Sequence, residues 1–521
     1  MLKRLALAVL LILACINVSA QSPWDTTAKN GELSRLALLK SWKFAQAWLQ
    51  CADPATGLIP RNLKDSPYWN AQDSAADNYP FMVLTTFFTD RTLFNGRIKQ
   101  ILETEQRLCN RVGRLPDDWL FTTQAFRSPE PAMDHLIFGA SEYAKDGLLP
   151  LTEWLGPSVW SDRMRGLLED LWVYGAVDTE VGKIPATSHE VAGNLMQAMS
   201  RMYWMTGEET YRTRATLIGD YFLLHHPPEQ AEKLQFEDHG CEVINGLSEI
   251  YYVAAKKDPA KHEQWKPAMH RLLDRILEVG RDENGLLYSS VNPVTGKVFS
   301  EERTDNFGYN YNAFLVVAEL DQEPRYREAC EFVLSHLLNN KDYVYEGGSS
   351  DGYADALEGG INMLNRLPVP EAMEWADHVA QILLAKPRDT GIIEGWHGDG
   401  NFARTAIMYA QWKSQGAYVE PWRADLRVGA VKAGDGFTYF EVQSDWPWEG
   451  RLRFDRPRHT ENLNIPSDYA RLNQFQEWFT VPARMQYDKG DASISSEELR
   501  AGLPATVAPG KPFRIQLKPG T

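Results

Sequence analysis

The feature of this sequence that most limits its fold is a recurrence. Helical segments that are apolar on nearly every side each open on a cluster of polar residues or glycines. They start near Asp77, Asp134, Glu190, Gly240, Asn306, Asp355 and Asn401, at intervals of 46 to 66 residues. Between them lie segments with a single apolar stripe, at 33–50, 95–112, 159–174, 209–225, 262–280, 325–339 and 371–384. A helix apolar all round must be buried, whereas a striped one keeps a wet face. Alternation of the two, with a period of two helices plus a loop, predicts inner and outer rings: an (α/α)6-type toroid or barrel of six or seven helical hairpins. An open solenoid would show a fixed period and a tighter consensus.

Past residue 418 the texture changes. Residues 425–431 and 437–442 read as strands around the turn 433–436, with 451–454 and 513–517 as further strands and 504–511 as a loop. The expected organisation is a helical barrel over 21–418 followed by a β-sandwich over 419–521. Within the barrel, 282–296 reads as turn, short strand and turn, an excursion at the mouth of the cleft. Residues 1–20 have the form of a signal peptide, with Lys3-Arg4, an apolar run to Cys15 and the small-residue site Val18-Ser19-Ala20. This predicts a periplasmic or secreted protein. Lipidation at Cys15, through Ile12-Leu13-Ala14-Cys15, is the rival reading and matches its pattern less well. No later run is suited to membrane insertion. Cys51, Cys109, Cys241 and Cys330 are scattered without CxxC spacing and read as separate buried thiols. The net charge of −16 lacks the basic surface that nucleic acid requires.

In such a toroid the N-termini of the inner helices gather at one end of the funnel, where unpaired N–H groups face a ligand. The polar residues at those starts are therefore the site candidates. Asp305, Asn306, Tyr309 and Asn310 open one helix. A cap needs only one of them, which leaves Asp305 as acid or base, the amides for sugar hydroxyls and Tyr309 for stacking. Asp77-Asn78-Tyr79 has the same look. His189 and Glu190 form an acid/base station, although 187–190 also fits a capping box. Glu237, Asp238 and Glu242 crowd around His239, and mutual repulsion raises proton affinity as a general acid requires. His239 and Glu242 are spaced like metal ligands, but no second histidine pair accompanies them, and no metal or other cofactor is expected. Gly240 reads as room for a ligand. Asp351, Asp355 and Glu358 share one helical face, where like charges repel. Trp396 and His397 precede the last inner helix, on which Arg404 is suited to a bidentate grip on a carboxylate. There is no P-loop or strict GxGxxG pattern.

Several stretches carry a family likeness: Gly57-Leu58-Ile59-Pro60-Arg61-Asn62-Leu63, Tyr68-Trp69-Asn70, Asp73-Ser74-Ala75-Ala76-Asp77-Asn78-Tyr79-Pro80-Phe81, Thr187-Ser188-His189-Glu190, Asp351-Gly352-Tyr353-Ala354-Asp355 and Gln474-Phe475-Gln476-Glu477-Trp478-Phe479. Together they resemble the bacterial β-glucuronidases of glycoside hydrolase family 154. More loosely, the chain is similar to unsaturated glucuronyl hydrolases, which share the α/α barrel. The resemblance runs from about residue 30 to the C-terminus. It implies removal of glucuronic acid from a plant or algal polysaccharide in the periplasm, and it assigns no catalytic positions.

The expected activity is exo-acting hydrolysis of an oligo- or polysaccharide containing uronic acid, by paired carboxyls. Asp305 and Glu242 are the first candidates and Glu190 the next, assisted by His189 and His239. Arg404 would hold the uronate, Trp69, Tyr309 and Trp396 would form the sugar platform, and Asp77, Asn78, Asn306, Asn310, Asp355 and His397 would complete the binding site. Two alternatives stand beside it. One is a polysaccharide lyase with Tyr309 or His239 as base and Asn306 on the carboxylate. The other is a glycan-binding protein with no chemistry.

Overall fold

The structure, a computed structural model, describes residues 22–64, 66–393 and 399–520. The leader expected at 1–20 lies outside them. In chain order, outer helix α1 (Pro23–Cys51) is followed by inner α2 (Tyr79–Thr89), which is entered through a π-helical turn, Ala71–Asn78. Outer α3 (Arg97–Leu108) is followed by inner α4 (Met133–Glu142), which continues through a second π-helical stretch, Tyr143–Leu148, into α5 (Leu149–Leu155). The remaining pairs are α6 (Val159–Tyr174) with α7 (His189–Thr206), α8 (Glu209–Asp220) with α9 (Glu242–Lys257), α10 (Pro259–Val279) with α11 (Phe307–Asp321), α12 (Pro324–His336) with α13 (Ser350–Arg366), and α14 (Pro370–Ala385) with α15 (Asn401–Ser414). Adjacent inner members touch all the way round, and α15 returns against α2. Among the described residues the ring therefore closes with seven pairs, the larger of the two expected numbers.

The pattern of burial explains the rings. In α11 every residue from Phe307 to Val317 is buried. In its outer neighbour α12 only Tyr326, Ala329, Cys330, Val333 and Leu334 are, a stripe at helical spacing. Glycines let the inner helices crowd together near the mouth. A Cβ on Gly308 of α11 would stand 2.5 Å from the Cα of Gly359 in α13, and one on Gly246 of α9 would stand 2.7 Å from the carbonyl oxygen of Gly193 in α7. The excursion after α10 is an antiparallel hairpin, Tyr288–Val291 with Val298–Arg303, joined on one edge by Leu234–Gln235. No helix of the described residues is long and apolar enough to cross a membrane. Cys109, Cys241 and Cys330 are buried free thiols.

The C-terminal part has two antiparallel sheets. In chain order its strands are β1 (Tyr418–Glu420), β2 (Arg427–Lys432), β3 (Thr438–Gln443), β4 (Trp448–Arg453), β5 (Gln486–Asp488), β6 (Ser493–Ser495), β7 (Leu503–Val507) and β8 (Phe513–Pro519). One sheet has the order β1-β4-β7 and the other β2-β3-β8-β5-β6. Val419, Leu452 and Leu503 from the first share an apolar cluster with Val428, Phe440 and Leu517 from the second. The stretch 504–511, expected to be a loop, begins inside β7. The sheets do not stand apart from the helices, because α1 lies directly on β2: Asn30 donates to the Ala430 carbonyl (2.8 Å) and Arg35 to that of Ala424 (2.8 Å).

The segment 457–479, between β4 and β5, departs most from expectation. It leaves the sheets and runs across the base of the ring, where Leu463, Ile465, Tyr469, Ala470 and Phe475 join the helical core. Buried ion pairs fix it there. Arg471 meets Glu153 of α5 at 2.7 Å, Arg201 of α7 meets Glu249 of α9 at 2.5 Å and Glu153 at 3.3 Å, and Tyr469 donates to Glu249 (2.9 Å). Arg471 also pairs with Asp468 (2.7 Å). The ring thus has an open end and a floor.

Candidate active site

At the open end lies a cavity of about 290 Å³. Its walls come from inner members around the ring and from the floor segment. Gln72, Asp73 and Asp77 come from the first π-helical turn, and Glu142, Lys145 and Asp146 from α4 and the second. Asp238, His239 and Glu242 stand at the start of α9, Asn306 and Tyr309 at that of α11, Asp351 and Asp355 on α13, and Asn401 and Arg404 on α15. Arg61 and Glu346 complete the rim, and Leu472 and Asn473 form the bottom. The expected gathering of inner-helix starts is present, with the two π-helical stretches added. Widened turns of this kind recur at functional sites because they re-aim side chains.

Charge is the dominant property. Nine carboxyl side chains line the cavity, with four basic ones: Arg61, Lys145, His239 and Arg404. Each basic group already faces an acid. Arg61 meets Asp73 at 2.6 Å. Lys145 meets Asp146 and Glu242, both at 2.5 Å. His239 meets Glu190 at 2.5 Å, and Arg404 meets Asp355 at 2.5 Å and Glu358 at 2.6 Å.

The outnumbered acids hold their protons more tightly than usual. Burial, with Asp73, Asp146 and Asp351 nearby, pushes Asp77 well up. Burial and the neighbouring Asp146 and Glu190 do the same to Glu142. Burial raises Glu242 to about 7 against the pull of Lys145. It raises Asp351 to about 6 despite the Asn401 amide, and Asp355 to about 6 despite Arg404. Asp146 goes the other way. Burial would raise it, but the charge of Lys145 and hydrogen bonds from Lys145, Glu142 and Asn473 hold it below the ordinary carboxylate range. The pair is thus pushed in opposite directions, Glu142 towards its protonated form and Asp146 towards its ionised one. His239 is pushed up to about 9, because its bond to Glu190 and the charge of Asp238 outweigh burial.

The sequence-predicted residues divide into three groups. Glu242, His239, Asp77, Asn306, Tyr309, Asp355 and Arg404 line the cavity. Glu190 stands one step behind, on His239. Asn306 accepts from the Asp238 backbone (2.5 Å) and donates to Asp355 (2.9 Å). Tyr309 is no stacking face: its hydroxyl donates to Glu358 (2.7 Å) and accepts from Arg404 (3.1 Å).

The second group lies off the cavity. Asp305 is not among the lining residues: its carboxylate accepts from the adjacent Asn306 backbone (2.9 Å) and the Thr304 hydroxyl (3.3 Å), and burial with the cavity acids Asp355, Asp351 and Glu346 pushes it well up. Asn310 is fully buried and donates to the carbonyls of Phe236 (2.8 Å) and Asn306 (3.0 Å), leaving no amide for a sugar. Trp69 is 2% exposed and belongs to the helical core, so it offers no platform. His189 packs edge-on against Phe222 at 5.6 Å, with burial holding it below its usual range. Asn78 is buried against Gly400. The likeness of Asp77-Asn78 to Asp305-Asn306 is thus one of helix starts only: in the first pair the acid faces the cavity, in the second the amide does. Gly240 packs on Gln235 rather than opening to a ligand.

The third group, Trp396 and His397, lies outside the described residues. Glu142, Lys145 and Asp146 escaped the sequence reading, although they had a signal. Three charges stand within five residues of an inner helix that is otherwise apolar. Asn473 had none.

No family model matches the chain, and no curated protein does. Among solved structures it is similar to a cellobiose 2-epimerase from Spirochaeta thermophila, at 15% identity over 58% of this chain and 82% of that one, with a TM-score of 0.40. It is similar to an inactive variant of an α-1,6-mannanase from Salegentibacter in complex with α-1,6-mannotetrose, at 11% identity over 73% and 98%, TM-score 0.39. It is also similar to a possible member of the GH105 family from Salmonella enterica, at 11% identity over 53% and 81%, TM-score 0.38.

Proposed function

We propose that this protein is a glycoside hydrolase that removes a terminal sugar from an oligo- or polysaccharide. The observation that carries the reading is the division of the cavity's carboxyls. Glu242, poised near 7, is matched to donate a proton to a leaving oxygen. Asp146, kept ionised, is matched to activate water or stabilise the developing cation. A floor of Leu472 and Asn473 makes the cavity blind, which suits attack on a chain end.

The lyase alternative loses support from the protonation states. Tyr309 has its proton committed to Glu358, and burial pushes it well up. His239 at about 9 is already protonated at neutral pH. Neither is a base in the resting site.

Glucuronic acid is the sugar we assign, on the strength of the sequence resemblance. Its carboxylate would be the tenth in the cavity, and Arg61 and Arg404 would have to share themselves with it. Protonation of Asp351 and Asp355, both near 6, releases charge for such a ligand. A uronide is therefore expected to turn over best on the acid side of neutrality, whereas a neutral glycoside needs no such release. The test is a panel of 4-nitrophenyl glycosides, β-D-glucuronide and neutral sugars included, together with uronic-acid-containing oligosaccharides. Sugar release is followed alongside the near-ultraviolet absorbance of an unsaturated product. Absence of any released sugar would overturn the hydrolase, and preference for a neutral glycoside at every pH would overturn the uronate.

A further inference from the structure

We infer that Asn473, delivered by the C-terminal segment, is a positioning residue of this site, its amide fixing the Asp146 carboxylate at the cavity wall. The inference rests on the hydrolase reading for its consequence, but not for its geometry. Asn473 is 1% exposed and lines the cavity. Its Nδ2 donates to Asp146 Oδ1 at 3.0 Å and to the Lys145 carbonyl at 3.3 Å, so one amide grips both the side chain and the backbone of the second π-helical stretch. Its Oδ1 is buried without a hydrogen-bond partner among the described residues.

The backbone agrees. Asn473 has φ +57°, in the left-handed region that asparagine tolerates better than most residues. The flanking residues are pinned: Arg471 on Glu153, and the Leu472 carbonyl under Arg201. The segment is thus held on both sides of the turn that presents the amide.

Asp146 is faced from its own stretch by Lys145 and Glu142. From other elements it is faced by Glu242 through Lys145, by Asp77 and by His239. Only Lys145 and Asn473 give it donors that favour its charge at every pH. Removing Asn473 therefore makes Asp146 harder to ionise.

Two variants separate this from a merely structural part. Asn473→Gly keeps the positive φ and removes the amide, and Asn473→Asp places a second carboxyl against the first. With 4-nitrophenyl β-D-glucuronide, the acidic limb of the kcat/KM pH profile of Asn473→Gly is expected to move up by about one pH unit, the worth of one hydrogen bond to a charged group, with the alkaline limb unmoved. Without any substrate, Asn473→Asp is expected to melt below Asn473→Gly at pH 7 and to converge with it by about pH 4, where the carboxyl is protonated in the unfolded chain as well. A uniform loss of activity with an unmoved limb overturns the inference, and so does a pH-independent gap in melting. A wild type inactive on every glycoside defeats the hydrolase reading alone, because the melting comparison still decides whether Asn473 faces an ionised Asp146.

Discussion

The floor and the mouth of the ring are two acid clusters buried to a similar depth, and they behave in opposite ways. At the floor, Glu153 and Asp468 face Arg201, Arg366 and Arg471. Burial would raise both acids, yet the guanidiniums hold Glu153 low and Asp468 at about 2. At the mouth, burial is matched by too few cations, and Asp77, Glu142, Glu242, Asp351 and Asp355 are all pushed up. Depth is therefore not what makes a site here; the count of cations against acids is. A balanced cluster is closed and holds the protein together. An outnumbered one stores unfavourable charge that a proton, a transition state or a sugar can relieve.

The comparison breaks most severely at the floor. Arg471→Ala leaves Glu153 to share Arg201 with Glu249 in the core and is expected to cost about 3–5 kcal/mol of stability, read from urea unfolding. At the mouth the opposite trade is expected. Glu242→Gln should lower kcat/KM by on the order of 10²–10⁴-fold, with the melting temperature held or raised, because it removes a charge from a crowded set. A fall in melting temperature as large as that of Arg471→Ala would erase the distinction between the clusters.

The pH dependence of stability follows from the same signs. A carboxyl whose folded pKa is raised opposes folding once ionised, so the mouth costs stability as pH rises from about 4 through about 7. A carboxyl whose folded pKa is lowered supports folding above its unfolded value, and that support is lost as pH falls towards about 2. Melting is thus expected to peak near about pH 4, and Asp351→Asn with Asp355→Asn should flatten the alkaline side of the peak alone. The smallest effect is expected from Asp305→Asn: about 1 kcal/mol or less of stability for weakened bonds from the Asn306 backbone and the Thr304 hydroxyl, and kcat within a few-fold of wild type. A loss matching that of Glu242→Gln would place Asp305 among the reacting groups after all.

The rings were readable because all-round apolarity and single stripes are properties of residues near in sequence. All seven inner members start or run where the polar clusters pointed. The ends of α9, α11, α13 and α15 were readable as site walls for the same reason: Glu242, Asn306, Asp355 and Arg404 announce themselves against apolar runs. Trp69 and Asn310 were misplaced because whether a side chain faces a cavity or the core is fixed by neighbours distant in the chain. Asp305 and Asn306 are adjacent, and nothing local says which one turns inward. Asn473 belongs to a stretch without helical or strand periodicity, and its partners Lys145 and Asp146 stand 328 and 327 residues away.

That distance bears on how the molecule is made. The pair Arg471–Glu153 spans 318 residues, and contacts of such range close late, because the intervening chain must first be ordered. As the chain is synthesised, all seven inner helices emerge before the segment that seals their base. Until residues 457–479 arrive, Arg201 stands between Glu153 and Glu249 with one positive charge for two negative ones, and the ring is a channel rather than a cup. The last turn of assembly thus neutralises the base and sets Asn473 beneath Asp146, so that completion of the fold and completion of the site are a single event.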